Sequence, residues 1–112
     1  MKYLNKKTVV DGLKFDSMRE ARRWSLLRTL EKAGRISDLQ CQVAFELAPS
    51  VRLAGATRPK PPLRYIADFV YIENGARVVE DVKGGETANL AAFRIKLHLM
   101  KHLHGIDVRI SK

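Results

Sequence analysis

The chain has 112 residues, 46% of them apolar, and a formal net charge of +9. That length supports one domain with its own core. No apolar run approaches a membrane span, and Lys2, Lys6 and Lys7 precede no signal-peptide core, so a soluble, cytoplasmic protein without membrane partners is expected.

Tyr3 to Phe15 contains Val9-Val10 followed by Asp11-Gly12, a turn signal, and predicts a short extended arm or hairpin. From Asp16 or Ser17 to about Ala33 the spacing of Ala21, Trp24, Leu27 and Leu30 predicts a helix, with Gly34 placed at its C-cap. The other flank of that helix carries Arg19, Arg22, Arg23, Arg28 and Lys32, a face open to solvent or to phosphates. Ile36 to Leu47 reads as a strand in which Leu39, Cys41, Val43 and Phe45 alternate with polar residues. Cys41, the only cysteine, excludes an internal disulfide and reads as a core thiol. Pro49 to Pro62 holds Gly55 and Pro59-Lys60-Pro61-Pro62, so a mobile loop without regular structure is expected, made basic by Arg52, Arg58, Lys60 and, just beyond it, Arg64.

Ile66 to Tyr71 and Val78 to Val82 are rich in β-branched and aromatic residues, and Glu73-Asn74-Gly75 between them supplies turn chemistry, which predicts a hairpin. After Gly84-Gly85 a second helix is predicted from about Thr87 to His104, with Leu90, Phe93, Leu97 and Met100 inward and Gly105 closing it. Ile106 to Ile110 makes a last strand, and strand-helix-strand at this length favours a parallel pair. The expected fold is α/β: one domain, a mixed sheet flanked by helices. His98 and His102 lie four apart on the second helix, a spacing open to metal binding but equally favourable at a helix C-terminus.

Charge is unevenly spread. Residues 1–37 carry a net +6 and residues 86–112 a net +3, whereas residues 65–85 carry −2. A basic chain whose acidic stretch is one hairpin points to a polyanion, nucleic acid above all, held around a cation site. Solubility, an anionic membrane surface or an RNA scaffold would also account for the excess of Lys and Arg.

The acids of that hairpin are the residues of interest. Asp68 and Asp81 are separated by twelve residues, and both lie in strands that otherwise read as buried. Residues i and i+2 of a strand share a face, so Asp81 and Lys83 project to one side while Glu80 and Val82 project to the other. A buried carboxylate is costly unless paired or bound to metal. Mg²⁺ takes one or two carboxylates with waters and phosphate oxygens, which fits two aspartates, with Lys83 as electrophilic helper. Turn or cap roles at strand ends are the plainer explanation of such aspartates. Glu20 admits two readings: it shares the inward helix face of Trp24 and Leu27, yet Ser17-Met18-Arg19-Glu20 also matches a capping box.

The order of helix with Glu20, strand, Asp68 strand, Asp81-x-Lys83 strand, helix and strand resembles the αβββαβ core of the PD-(D/E)xK nuclease superfamily, the restriction-endonuclease-like fold. More narrowly, Phe15-Asp16-Ser17 with Glu20, Gly34 to Gln40 with Gln42, Tyr65 to Tyr71 and Glu80 to Gly84 resemble a family of small phage and prophage proteins with a DUF1064-like pattern. The chain departs from the superfamily signature in having Ala67, not proline, before Asp68. The resemblance implies an Mg²⁺- or Mn²⁺-dependent endonuclease acting on branched or duplex DNA. Glu20, Asp68 and Asp81 would be metal ligands, with Lys83 assisting catalysis. Arg19, Arg22, Arg23, Arg94 and Lys96 are then candidate phosphate contacts, and Gln42 joins the active-site edge. It further implies a phage- or prophage-encoded protein in a bacterial host, possible homodimerisation and a junction-resolving type of substrate. A nucleic-acid-binding protein that has lost hydrolysis is the alternative.

Overall fold

A computed structural model describes residues 7–84 and 90–112. The chain opens with a hairpin of β1 (Thr8–Val10) and β2 (Leu13–Phe15). Its turn is Asp11-Gly12, with φ of 52° and 77°, the paired positive dihedrals that suit the twist of a two-residue hairpin. Helix α1 (Met18–Lys32) starts at Ser17, whose hydroxyl accepts the Glu20 N–H at 3.1 Å. Trp24 Nε1–H donates to Asp11 at 3.0 Å and ties the hairpin to the helix.

Three strands follow: β3 (Ile36–Ala48), β4 (Leu63–Glu73) and β5 (Ala76–Val82). They pair antiparallel, with β4 and β5 joined by Asn74-Gly75 at φ of 52° and 77°. Helix α2 (Ala91–His104) leads to β6 (Arg109–Ser111), which runs parallel to β5. The expected start of this helix at Thr87 lies outside the described residues. Sheet order is β3-β4-β5-β6, so the αβββαβ order and mixed sheet expected from the sequence are present after the hairpin. The last strand begins later than Ile106 because that residue still belongs to the helix cap. Gly105 takes φ 67°, its N–H donates to Lys101, and the Ile106 N–H reaches back to the Met100 carbonyl.

Each face of the sheet carries one helix. Ala21, Trp24 and Leu27 of α1 pack with Phe15, Phe69, Tyr71 and Val82. Phe93 and Met100 of α2 pack with Phe45, Leu47, Tyr65, Ala67, Val70 and Val79. Along β5 the sides alternate as the period of two requires: Val79 faces α2 and Val82 faces α1.

Strands β3 and β4 do not keep one alternation, and this corrects the sequence reading. Leu39 and Cys41 join the α1 side, whereas Val43 and Phe45, of the same parity, join the α2 side. On β4 the inversion lies between Ala67 and Phe69. The ladder runs in constant register from Cys41↔Phe69 to Val43↔Ala67 and skips Gln42 and Asp68, and Gln42 takes φ 56°. A glutamine there occupies left-handed backbone, about 1–2 kcal/mol above the right-handed region. Strained backbone in the middle of a paired strand turns both chains over at one point, and Asp68 stands at that point.

The free edge of β3 is covered in part by side chains. Glu31 accepts the Leu39 N–H at 3.1 Å and His104 Nε2 meets the Glu46 carbonyl at 2.8 Å. Residues 49–62 are also more ordered than their prolines suggest. Val51 and Lys60 form an antiparallel bridge, Ser50 Oγ donates to the Lys60 carbonyl, and the Arg52 guanidinium donates to the Ala56 and Thr57 carbonyls.

Candidate metal centre

The acid pair is built by β4 and β5. Asp68 is 8% exposed and Asp81 2%. Asp68 Oδ2 accepts the Val82 N–H at 2.8 Å, a backbone bond that sets Asp68 beside the end of β5. Asp81 Oδ2 accepts the Tyr65 hydroxyl at 2.8 Å and lies 3.5 Å from Lys83 Nζ. The other oxygen, Asp81 Oδ1, is buried and has no hydrogen-bond partner among the described residues. An unpartnered carboxylate oxygen in a dry site is costly, on the order of 1–3 kcal/mol or more.

The electrostatics have the same origin. Burial first, and then the neighbouring Asp81 carboxylate, push the Asp68 carboxyl up to about 8. Burial and the charge of Asp81 also hold the Tyr65 phenol far above its ordinary range. Burial and the charge of Asp81 thus favour the protonated form of Asp68 unless a cation takes the proton's place. The donor set therefore fits a hard divalent ion: two aspartates, one with a free oxygen, in a net acidic stretch of a basic chain.

Glu20 faces this pair from the N-terminal turn of α1. Burial raises its carboxyl most; Asp16 and Asp81 raise it further and Lys83 lowers it. The Ser17 hydroxyl, which accepts the Glu20 N–H, also donates to Glu20 Oε2 at 3.4 Å. Cap geometry and orientation toward Asp81 and Lys83 thus coexist. Among the described residues no three acids, histidines or cysteines form a ready ligand cluster, so Glu20 stands across from the pair and does not close it. Mg²⁺ needs only one or two protein carboxylates, the rest being water and substrate.

The basic candidates separate. The Arg19 guanidinium lies where a Cβ on Gly84 would stand, 2.9 Å from that position, so Arg19 rests on the backbone just after Lys83. Lys83 Nζ sits 5.3 Å from the Phe93 ring centre, and Phe93 packs on Tyr65. Arg22, Gln42 and Arg94 are exposed and Lys96 is half-buried. Arg23 is a correction. It was expected on the phosphate face, but its guanidinium turns inward and binds both oxygens of Glu80, at 2.6 and 2.9 Å. Glu80 is fully buried, and only a planar, two-pronged cation matches that carboxylate.

Tyr65 is the residue that sequence reasoning missed. Under unbroken alternation it would be one more strand aromatic; the inversion at Asp68 leaves it on the Asp81 side. Its signal was a hydroxyl-bearing aromatic three residues before a strand acid, since a buried phenol seeks a polar partner.

The family whose model matches is described as "Protein of unknown function (DUF1064)", and the match covers residues 1–111. The chain belongs to the DUF1064 family. No curated protein and no solved structure matches it. Within this DUF1064 chain, three of the stretches read from the sequence as the family pattern carry the site: Glu20, Tyr65 and Asp68 within Tyr65 to Tyr71, and Asp81 and Lys83 within Glu80 to Gly84. No helix among the described residues is long and apolar enough to cross a membrane.

A pH dependence follows from Asp68. Its folded value lies near 8 against an ordinary 3.8, so between those limits the native state keeps a proton that the unfolded chain has lost. That contribution is full below about pH 4, declines as pH rises, and is gone above about pH 8. A divalent cation takes the proton's place. Mg²⁺ or Mn²⁺ at about 100 times its dissociation constant is therefore expected to raise the melting temperature by about 10 °C at pH 8 and by much less near pH 5. Scanning calorimetry with and without EDTA checks both arms, and an equal rise at both pH values would count against cation-proton exchange at the pair.

Proposed function

We propose that this DUF1064 protein is a divalent-metal-dependent nuclease of the PD-(D/E)xK type that hydrolyses phosphodiester bonds in DNA. One observation carries the reading: a buried, unpartnered Asp81 oxygen beside Asp68, with Lys83 on the same carboxylate. Asp68 and Asp81 would hold Mg²⁺ or Mn²⁺, with Glu20 as the further carboxylate facing them from α1. When bound, the ion supplies Lewis acidity toward the phosphoryl oxygen and an activated water. Lys83 moves from Asp81 to the scissile phosphate and offsets the negative charge that develops there. Arg19, at the rim over Gly84, binds a neighbouring phosphate and contributes affinity, not chemistry. Phage or prophage origin, a bacterial host and branched DNA as substrate belong to the same reading, as does a homodimer whose two sites cut two strands.

The test is cleavage of duplex, branched and single-stranded DNA in Mg²⁺, Mn²⁺ or EDTA. Wild type is expected to cut in either metal and not in EDTA, and Lys83→Ala to cut about a hundredfold more slowly at unchanged DNA affinity. Binding without metal-dependent cutting on any of the three substrates would favour a nucleic-acid-binding protein that has lost hydrolysis.

A further inference from the structure

Beyond Gln42 and Asp68, strands β3 and β4 run past helix α1, while Phe45, Leu47 and Tyr65 on the other face still pack with α2. The radius of gyration is 16.0 Å and the longest extent 54 Å, whereas a compact chain of this length has a radius of about 13 Å. The outer halves of β3 and β4 and the bridged turn at 49–62 form an arm of this elongated chain. On the α1 side no described residue covers its floor beyond the inversion at Gln42 and Asp68: Ala44 pairs with Ile66, Ile66 is 46% exposed, and Glu46 pairs with Arg64.

Beyond Glu46 the arm is one-signed. From Leu47 to Ala67 the chain has Arg52, Arg58, Lys60 and Arg64 and not one acid. It is also braced. The Val51–Lys60 bridge, the Ser50 hydroxyl and the Arg52 guanidinium hold the turn closed. Arg52 is thus occupied in holding the turn, which leaves Arg58 and Lys60 as the exposed cations at its end. The base of the arm is the metal centre itself, because Tyr65 of β4 donates to Asp81.

Charges held at a fixed distance suit a ligand with phosphates at a fixed distance. From Asp68 to the turn the strand rises about 20 Å, or about six phosphate steps of 3.4 Å along one strand of a duplex. Duplex DNA, stiff over about 150 base pairs, presents that lattice without being ordered first, and a flexible single strand does not. We propose that the β3–β4 arm is a second phosphate-binding surface, gripping duplex DNA about six base pairs from the scissile phosphate. The inference rests on the nuclease reading for the position of the scissile phosphate, and on the arm alone for the grip.

The test measures binding by fluorescence anisotropy in EDTA, where no cutting intervenes, with duplexes of increasing length. Arg58→Ala/Lys60→Ala is the variant, both side chains being exposed, and an unchanged melting temperature shows that it folds. On long duplexes it is expected to bind about tenfold more weakly, with a salt-dependence slope smaller by about 2. On duplexes with fewer than about six base pairs on the arm side, variant and wild type are expected to converge. Equal affinity and slope on long duplexes would overturn the proposal. An arm-dependent gain on single strands, or on duplex RNA but not duplex DNA, would overturn its choice of partner. Arm-dependent duplex binding in a protein that cuts nothing in Mg²⁺ supports the grip and removes the nuclease reading.

Discussion

Replacing Asp81 by asparagine is expected to slow metal-dependent cleavage by about a thousandfold or more, the scale of several kcal/mol of lost transition-state stabilisation, and yet not to destabilise the metal-free protein. The amide keeps the shape of the carboxylate and can still accept the Tyr65 hydroxyl. It removes the charge that, with burial, pushes Asp68 up to about 8, and its NH₂ group can donate to Asp68. Lys83 loses an ion pair, but its side chain is 26% exposed and can turn to water, so that loss is small beside the relieved repulsion. Two measurements separate the effects. Calorimetric titration with Mn²⁺ should show binding lost or weakened by orders of magnitude, and the decline in melting temperature from about pH 4 to 8 should flatten as Asp68 returns toward its ordinary 3.8. Wild-type Mn²⁺ affinity in Asp81→Asn would remove the acid pair as the cation site.

How far the sequence foretold this site depends on which residues obey local rules. Asp11-Gly12 and Asn74-Gly75 are turn signals because both positions need positive φ, and both turns form where those pairs stand. Ser17 caps α1, and the acids in the apolar hairpin meet, because β5 keeps its alternation through Asp81, and Lys83, just beyond it, reaches the Asp81 carboxylate. What was not legible is the inversion at Gln42 and Asp68. Nothing in glutamine announces a positive φ inside a strand, and pattern reading assumes that a strand stays regular. Arg23 shows a second limit. Helical spacing placed it beside Arg19 and Arg22, but a long side chain at the margin of the buried face can reach inward, and only the neighbouring strand reveals that Glu80 waits there.

The pair formed by that reach gives the largest stability effect expected of any substitution in the chain. Glu80 is 0% exposed and accepts from Arg23 twice, from Tyr71 at 2.5 Å and from Ser111 at 2.9 Å. Burial alone would raise its carboxyl, but the bonds from Arg23, Tyr71 and Ser111 outweigh burial and hold it below the ordinary range. The same carboxylate, with burial as the larger cause, pushes the Tyr71 phenol up to about 12. A carboxyl depressed by folding stabilises the native state above its ordinary value of 4.5, and that contribution is lost as pH falls through the lower folded value. Arg23→Met leaves an ionised carboxylate buried with only neutral donors and is expected to cost about 3–5 kcal/mol, lowering the melting temperature by about 15 °C. Arg23→Met/Glu80→Leu removes both charges and is expected to recover most of that loss, since an apolar pair of similar volume avoids the desolvation penalty. Thermal melts of the two variants decide it; an equal loss in both would mean that side-chain volume, not charge, holds the helix to the sheet. The pair has a second consequence, because Arg23 lies three residues from Glu20 on α1 and Glu80 is next to Asp81 on β5. The bond that anchors the helix therefore also sets Glu20 across from Asp81. Under the nuclease reading the double variant, though refolded, is expected to cut more slowly than wild type, its apolar contact fixing the distance between helix and strand less sharply than two hydrogen bonds do.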